Sequence, residues 1–125
     1  MSGLWKRKAD AAWGAYIHAR YNRCAVGAGC SGHLEAHHLI SRSVRATRHD
    51  PENGILLCAL HHKWSPYLSP HGAPLQFAEW LRVNLPEKWD WVQRHKNDWK
   101  TIKADYKAAY GRLVYATEAS KRIPA

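Results

Sequence analysis

The sequence is short of three things: cysteine, acidic residues and long apolar runs. Cysteine occurs only three times, at Cys24, Cys30 and Cys58. So small and odd a number, without a secretion signal, argues against a disulfide framework and leaves free thiols or metal ligands. No apolar stretch approaches the roughly 20 residues that a membrane-spanning helix needs. The opening Met-Ser-Gly-Leu-Trp-Lys-Arg-Lys carries basic residues with no apolar segment behind them, unlike a signal peptide. A cytoplasmic protein with no membrane partner is therefore expected. Phe and Met appear once each. No run of five like charges, no internal repeat and no low-complexity segment is present.

The scarcity of acid leaves 10 Asp and Glu against 19 Lys and Arg, a formal net charge of +9. A surplus of that size favours polyanions through phosphate contacts and counterion release. Because the charges are dispersed, they belong to a folded surface and not to a basic tail. At 125 residues the chain reads as one domain. Hydrophobic residues make up 46%, with seven Trp and six Tyr, enough for a core. Domains of this size bury a lower fraction of their surface and often add a metal staple.

Three regions follow from the patterning. Residues 1–23 hold an amphipathic helix over 3–22, with Trp5, Ala9, Ala12, Trp13, Tyr16, Ile17 and Arg20 at spacings of three and four. In 24–65, Gly27, Gly29, Ser31 and Gly32 make a tight loop. A strand over Leu34–Ser41, a basic loop over 42–52, a buried strand over Gly54–Leu57 and a helix over Cys58–Trp64 follow, ended by Ser65-Pro66. In 66–125, Pro66, Pro70, Gly72 and Pro74 mark a loop, and Gln76–Val83 reads as a helix with Phe77, Trp80 and Leu81 inward. Pro86 suits the first turn of a further helix. A last helix is expected over Trp99–Ala119, with Ile102, Tyr106, Tyr110 and Leu113 on one stripe and Lys100, Lys103 and Lys107 on another.

Chemistry concentrates in Glu35-Ala36-His37-His38-Leu39-Ile40, Asp50-Pro51-Glu52-Asn53-Gly54 and Cys58-Ala59-Leu60-His61-His62. Phosphodiester hydrolysis needs a base to deprotonate water and a cation to balance charge on the phosphate. Histidine serves either role, because its ring is partly neutral near pH 7 and binds metals through a neutral nitrogen. Adjacent residues on a regular strand face opposite ways. His37 and His38 can share a site only if the strand bends or ends there. Asn53-Gly54 is also an ordinary turn dipeptide.

Taken together, these segments resemble the HNH nuclease motif over about residues 24–65. The resemblance implies an α+β fold: a ββα-metal (HNH) core flanked by N-terminal and C-terminal helices. It makes His38 the general base, Asn53 the organiser of the loop between the strands, and His37 and His62 ligands of a catalytic divalent cation, Mg, Mn, Ni or Zn. Some family members carry another ligand four residues after the helical one, where this chain has Pro66. The candidates for a third ligand are then His71 or water, with Asp50 and Glu35 behind them. HNH proteins often hold a structural zinc with two Cys-x-x-Cys pairs. Here the first pair is Cys24 and Cys30, and the second position holds Cys58 with a histidine, a Cys3His set that zinc accepts. Spacing leaves open whether His61 or His62 joins Cys58, since both lie one turn away. The family register assigns His61 to zinc.

Arg42, Arg45 and Arg48 lie in the loop between the strands and are candidate DNA phosphate contacts. No base-reading element is evident. The expected function is a metal-dependent HNH endonuclease hydrolysing DNA phosphodiester bonds, by nicking or double-strand cleavage. The alternative is a non-catalytic zinc-stabilised DNA-binding module, with RNA as a further substrate option. A monomer or weak homodimer on DNA is expected. The analogy with small phage HNH proteins suggests packaging or recombination partners.

Overall fold

The computed structural model describes residues 2–98 and 103–122. Helix α1 spans Ser2–Tyr21 and buries Ala9, Ala12, Trp13, Tyr16 and Ile17 of the expected stripe, while Trp5 is half-buried and Arg20 faces solvent. Strands β1 (Leu34–His38) and β2 (Gly54–Cys58) pair antiparallel from Leu34 opposite Cys58 to His38 opposite Gly54. The chain Gly-Ile-Leu-Leu-Cys has no polar side chain, and all of β2 is buried. A side chain on Gly54 would collide with Trp13 and Ile17, its Cβ falling 2.6 Å from each. Glycine there lets α1 lie directly on the sheet.

After β2 comes a π-helical turn, Leu60–Trp64, closed by Ser65 N–H donating to the Leu60 carbonyl at 2.8 Å. Helices α2 (Pro74–Asn84), α3 (Pro86–His95) and α4 (Tyr106–Lys121) complete the chain. Both α2 and α3 begin on proline, whose missing N–H costs nothing at a first turn.

Helix α4 packs along α1: Leu113 joins Ala12, Trp13, Tyr16, Ile17 and Leu56 in one cluster. Phe77 of α2 closes a second cluster with Cys24, Ile55, Leu57 and Cys58. Trp91 of α3 packs on Ile40 and Val44 of the loop between the strands. Ile17, Leu56, Leu57 and Leu113 are at most 2% exposed, and each such burial stabilises by about 1.5–3 kcal/mol. The architecture is α+β, with a two-stranded sheet and a helical turn wrapped by helices. Among the described residues, no helix is long and apolar enough to cross a membrane.

The structure departs from the sequence reading in four places. β1 stops at His38, so Leu39–Ser41 are not strand. Cys58 ends β2, and the helical segment starts at Leu60 as a wide π turn. α2 starts at Pro74, two residues earlier than expected. α4 starts at Tyr106 and not at Trp99, because Asp105 caps it, Oδ1 accepting from Ala108 N–H at 3.0 Å. Lys103 therefore precedes the helix and shares no helical stripe with Lys107. Trp99, Lys100 and Ile102 lie outside the described residues.

Candidate active site

Asn53 is fully buried at the mouth of the loop between the strands. Its Oδ1 accepts from Ile40 N–H at 2.7 Å, and its Nδ2 donates to the carbonyls of Ile40 and Thr47, both at 3.0 Å. One amide thus ties the end of β1 to the far side of the loop, with every polar atom partnered. Chain leaving β1 is bent here. His37 and His38, on opposite faces of a strand that ends, consequently line one cleft of about 550 Å³ with Ser41, Arg42, His62 and His71.

His38 is held at its edge and on one face. Its Nε2–H donates to the Arg48 carbonyl at 2.9 Å. A carbonyl can only accept, so the neutral ring carries its free lone pair on Nδ1. The Trp13 indole stacks on the ring, with centroids 3.6 Å apart and planes 8° from parallel. Burial, reinforced by the Arg42 and Arg48 charges, pulls its pKa down to about 4 despite the carbonyl contact. The ring is neutral at pH 7 and able to take a proton.

Arg48 is itself locked. Its Nε and Nη2 donate to the two oxygens of Asp10, at 2.9 and 2.8 Å, and Asp10 Oδ1 also lies 2.7 Å from His49 Nε2. Burial works against the Asp10 charge, but the Arg48 and His49 hydrogen bonds and charges hold its pKa down to about 2. The Arg48 side chain is 11% exposed, whereas that of Arg42 is 65% exposed. Arg45 is also exposed. Of the three loop arginines, Arg48 is a buried structural ion pair and not a surface cation.

On the other side of the cleft, His37, His62 and His71 offer ring nitrogens within 4.8 Å of one another. His37 Nδ1 and His62 Nε2 are 3.1 Å apart. His62 Nδ1 lies 2.7 Å from Glu35 Oε1, and a carboxylate fixes the proton on that nitrogen, leaving Nε2 free to bind. The other Glu35 oxygen is 2.7 Å from His33 Nε2. These contacts, His62 first, lower the Glu35 pKa against the effect of burial. Burial and neighbouring imidazoles take His37 down to about 3, and burial lowers His62. All of this keeps the lone pairs available, as metal ligation requires. Asp50 is not in the cluster; its Oδ1 accepts from Glu52 N–H at 2.8 Å.

A second cluster joins Cys24, Cys30, Cys58 and His61, again with ligand atoms within 4.8 Å of one another. Ser31 and His33 carbonyls accept from Leu60 and Ala59 N–H, and Ala25 N–H donates to Leu56, which draws both ends of the Gly-rich loop onto β2. The Cys24, Cys30 and Cys58 sulfurs lie 3.7, 3.7 and 3.2 Å from His61 Nδ1. A tetrahedral zinc with ordinary bond lengths separates S and N by about 3.6 Å, so this donor set fits such an ion. Desolvation and the other two thiols push Cys30 up to about 11. Cys58 is lowered: burial opposes this, but N–H groups of His61 and Ser31 on its sulfur outweigh it. Three clustered thiols cannot all ionise without a cation to balance them. The two adjacent histidines point apart: His61 turns to the sulfurs and His62 to the other imidazoles.

Three contributors were not assigned their part by the sequence. Glu35 was only a weak ligand candidate, although it sits two residues from His37 on the same face of β1, where an orienting carboxylate is expected. Trp13 and Asp10 lay in a helix that read as packing, and nothing local marked either.

Two strands, a bent loop and a helical turn present histidines toward one cleft, a ββα arrangement with donors placed to accept a metal. Residues 17–65 match the family model HNH_2, described as HNH endonuclease. The match includes both histidine clusters except His71, and excludes Asp10, Trp13 and α2–α4. Neither the curated proteins nor the solved structures gave a match to the chain.

Proposed function

We propose that this protein is a metal-dependent endonuclease that hydrolyses DNA phosphodiester bonds in the cleft between β1 and the π turn. The observation that carries the reading is the division of labour across that cleft. A neutral imidazole with a free Nδ1 stands on one side, and three converging imidazoles stand on the other.

In this reading His38 Nδ1 takes the proton from a water as its oxygen attacks phosphorus, and the P–O bond to the leaving sugar oxygen breaks. The Arg48 carbonyl stabilises the imidazolium that forms, through the Nε2–H it already accepts. Trp13 and the Asp10–Arg48 pair are positioning residues: they hold the ring and its carbonyl partner, and do not touch substrate. Asn53 shapes the loop that carries Arg48. His37 and His62, with His71 as the third ligand, hold a divalent cation. When bound, such a cation supplies the positive charge that phosphoryl transfer needs. An imidazole-rich set suits Zn, Ni or Mn, while Mg would keep more of its waters. The second cluster holds a structural zinc. Arg42 and Arg45 contact phosphates flanking the scissile bond.

Incubation of supercoiled plasmid with the protein and Mg, Mn, Ni, Zn or EDTA tests this, with His38→Ala in parallel. Cation-dependent nicking or linearisation, lost in His38→Ala while DNA binding persists, is the expected result. Binding without cleavage under every cation would replace this reading with a non-catalytic zinc-stabilised DNA-binding module.

A further inference from the structure

The segment joining His62 to His71 is a closed loop. His71 N–H reaches the His62 carbonyl at 3.4 Å, and both rings belong to the cleft. The base of the loop is tight: a Cβ on Gly72 would lie 2.5 Å from the Ser65 carbonyl and 3.2 Å from that of Lys63. Within it, Ser65 Oγ accepts from the N–H groups of Tyr67 and Leu68, and the fully buried Ser69 hydroxyl donates to the Ser65 carbonyl. The loop is therefore fixed by its own hydrogen bonds and anchored at the cleft by both ends.

Its apolar side chains are sorted in an unusual way. Leu68, the one aliphatic, turns inward against the cluster around Phe77. The two aromatics turn outward, Trp64 at 72% and Tyr67 at 83% exposure. Between Lys63 and Ala73 there is no acidic residue. Large aromatics left in water, on a rigid support without an acidic residue of its own, suit stacking against a flat partner. An aliphatic-binding protein surface would have little reason to hide the leucine and show the rings.

We propose that Trp64 and Tyr67 stack on unpaired DNA bases next to the cleft, so that the preferred substrate contains a single-stranded or locally melted segment. This rests on the nuclease reading for its place beside the cut, but its test does not need cleavage.

The test measures binding of the zinc-loaded protein to a fluorescent single strand and to the matching duplex at fixed salt. The wild type is expected to bind the single strand at least as tightly as the duplex. The double variant Trp64→Ala/Tyr67→Ala is expected to lose roughly ten- to hundredfold in single-strand affinity, at least tenfold more than its loss on duplex. Trp64→Phe/Tyr67→Phe should recover most of it. Because both side chains are exposed, unchanged zinc content and thermal midpoint certify the fold of each variant. Equal losses on both DNAs, or none on either, overturn the proposal; the latter would hand the loop to a protein partner. A protein that shows this selectivity yet cuts nothing would refute the nuclease reading and leave the stacking site standing.

Discussion

The indole of Trp13 lies flat on the imidazole of His38, 3.6 Å between ring centroids, while its Nε1–H donates to the Asp50 carbonyl at 3.0 Å. One residue of α1 therefore clamps the face of the candidate base and the loop that carries its carbonyl partner. Trp13→Phe keeps an aromatic face but drops the hydrogen bond to Asp50. We expect about a tenfold lower kcat with KM nearly unchanged, because a small misplacement of a reacting group is costly. Single-turnover cleavage at saturating DNA reads this directly. A loss confined to KM would show that Trp13 serves substrate binding.

Arg48 and Arg42 differ in what they can do for DNA. The Arg48 guanidinium is spent on Asp10, and only its carbonyl faces the site. Arg42→Ala or Arg45→Ala should weaken DNA binding and reduce the salt slope of log Kd by about one per lost phosphate contact. Arg48→Met should leave that slope unchanged while lowering kcat, and should destabilise the fold because Asp10 loses its two-point partner and keeps only His49 at 2.7 Å and Arg42 at 3.8 Å. If Arg48→Met instead reduces the slope as Arg42→Ala does, the ion pair opens on DNA.

Much of this site was legible in the chain because it is local. His37 and His38 on a strand, Asn53 at a turn and the Cys58-to-His62 run are close in sequence, and few folds bring such donors together. What escaped notice was long-range or depended on backbone detail. Asp10 meets Arg48 across 38 residues, and no pattern pairs one acid with one of many basic residues at that range. Trp13 sits in a regular apolar stripe, where stacking on the His38 ring and filling a core give the same periodicity. The π turn was missed because His61 and His62 fit an α-helix equally well in sequence; spacing left their division between two clusters open, and only the family register supplied it. Glu35 was within reach: two-residue alternation on β1 puts it beside His37.

Acid should weaken the fold through His38. Its folded pKa, about 4, lies below its ordinary 6.5, so the unfolded chain binds a proton that the folded one refuses. The stability it contributes is complete above pH 6.5 and is lost as pH falls toward 4. Each such group adds a slope of up to about 1.4 kcal/mol per pH unit. Denaturation of zinc-loaded protein without other cations, from pH 6.5 to 5, should show a steeper decline than His38→Gln. Zinc content is measured at each pH, because thiolate ligation is itself pH-dependent. Parallel slopes would mean that His38 protonates freely in the folded state.

The two clusters should part under metal analysis. As isolated, the protein is expected to hold one tightly bound zinc, retained in His62→Ala and lost in Cys58→Ser. Removing it with a strong chelator should lower the thermal midpoint by on the order of 20 °C, since ligation in so small a domain is folding free energy. Elemental analysis beside thermal denaturation checks both. Zinc retained in Cys58→Ser but lost in His62→Ala would reverse the assignment of the sites.

Glu35 gives the sharpest test of the imidazole cluster, because it does not need to touch the cation to matter. Its Oε1 holds His62 Nδ1–H, and so decides which nitrogen of that ring faces His37. Glu35→Gln keeps the shape and can still accept a hydrogen bond, but removes the charge that makes His62 a better donor. Loss of such an orienting carboxylate typically costs 10–100-fold in metal affinity. We therefore expect Mn or Ni binding to weaken by about that factor in Glu35→Gln, with the zinc at Cys24, Cys30, Cys58 and His61 undisturbed. Calorimetric titration of the zinc-loaded protein measures the second cation alone. Cleavage by the variant should recover at high cation concentration, since the base on the far side of the cleft is intact. Affinity unchanged by Glu35→Gln would mean that the 2.7 Å contact with His62 does not survive metal binding, and that His37 and His71 carry the site without it.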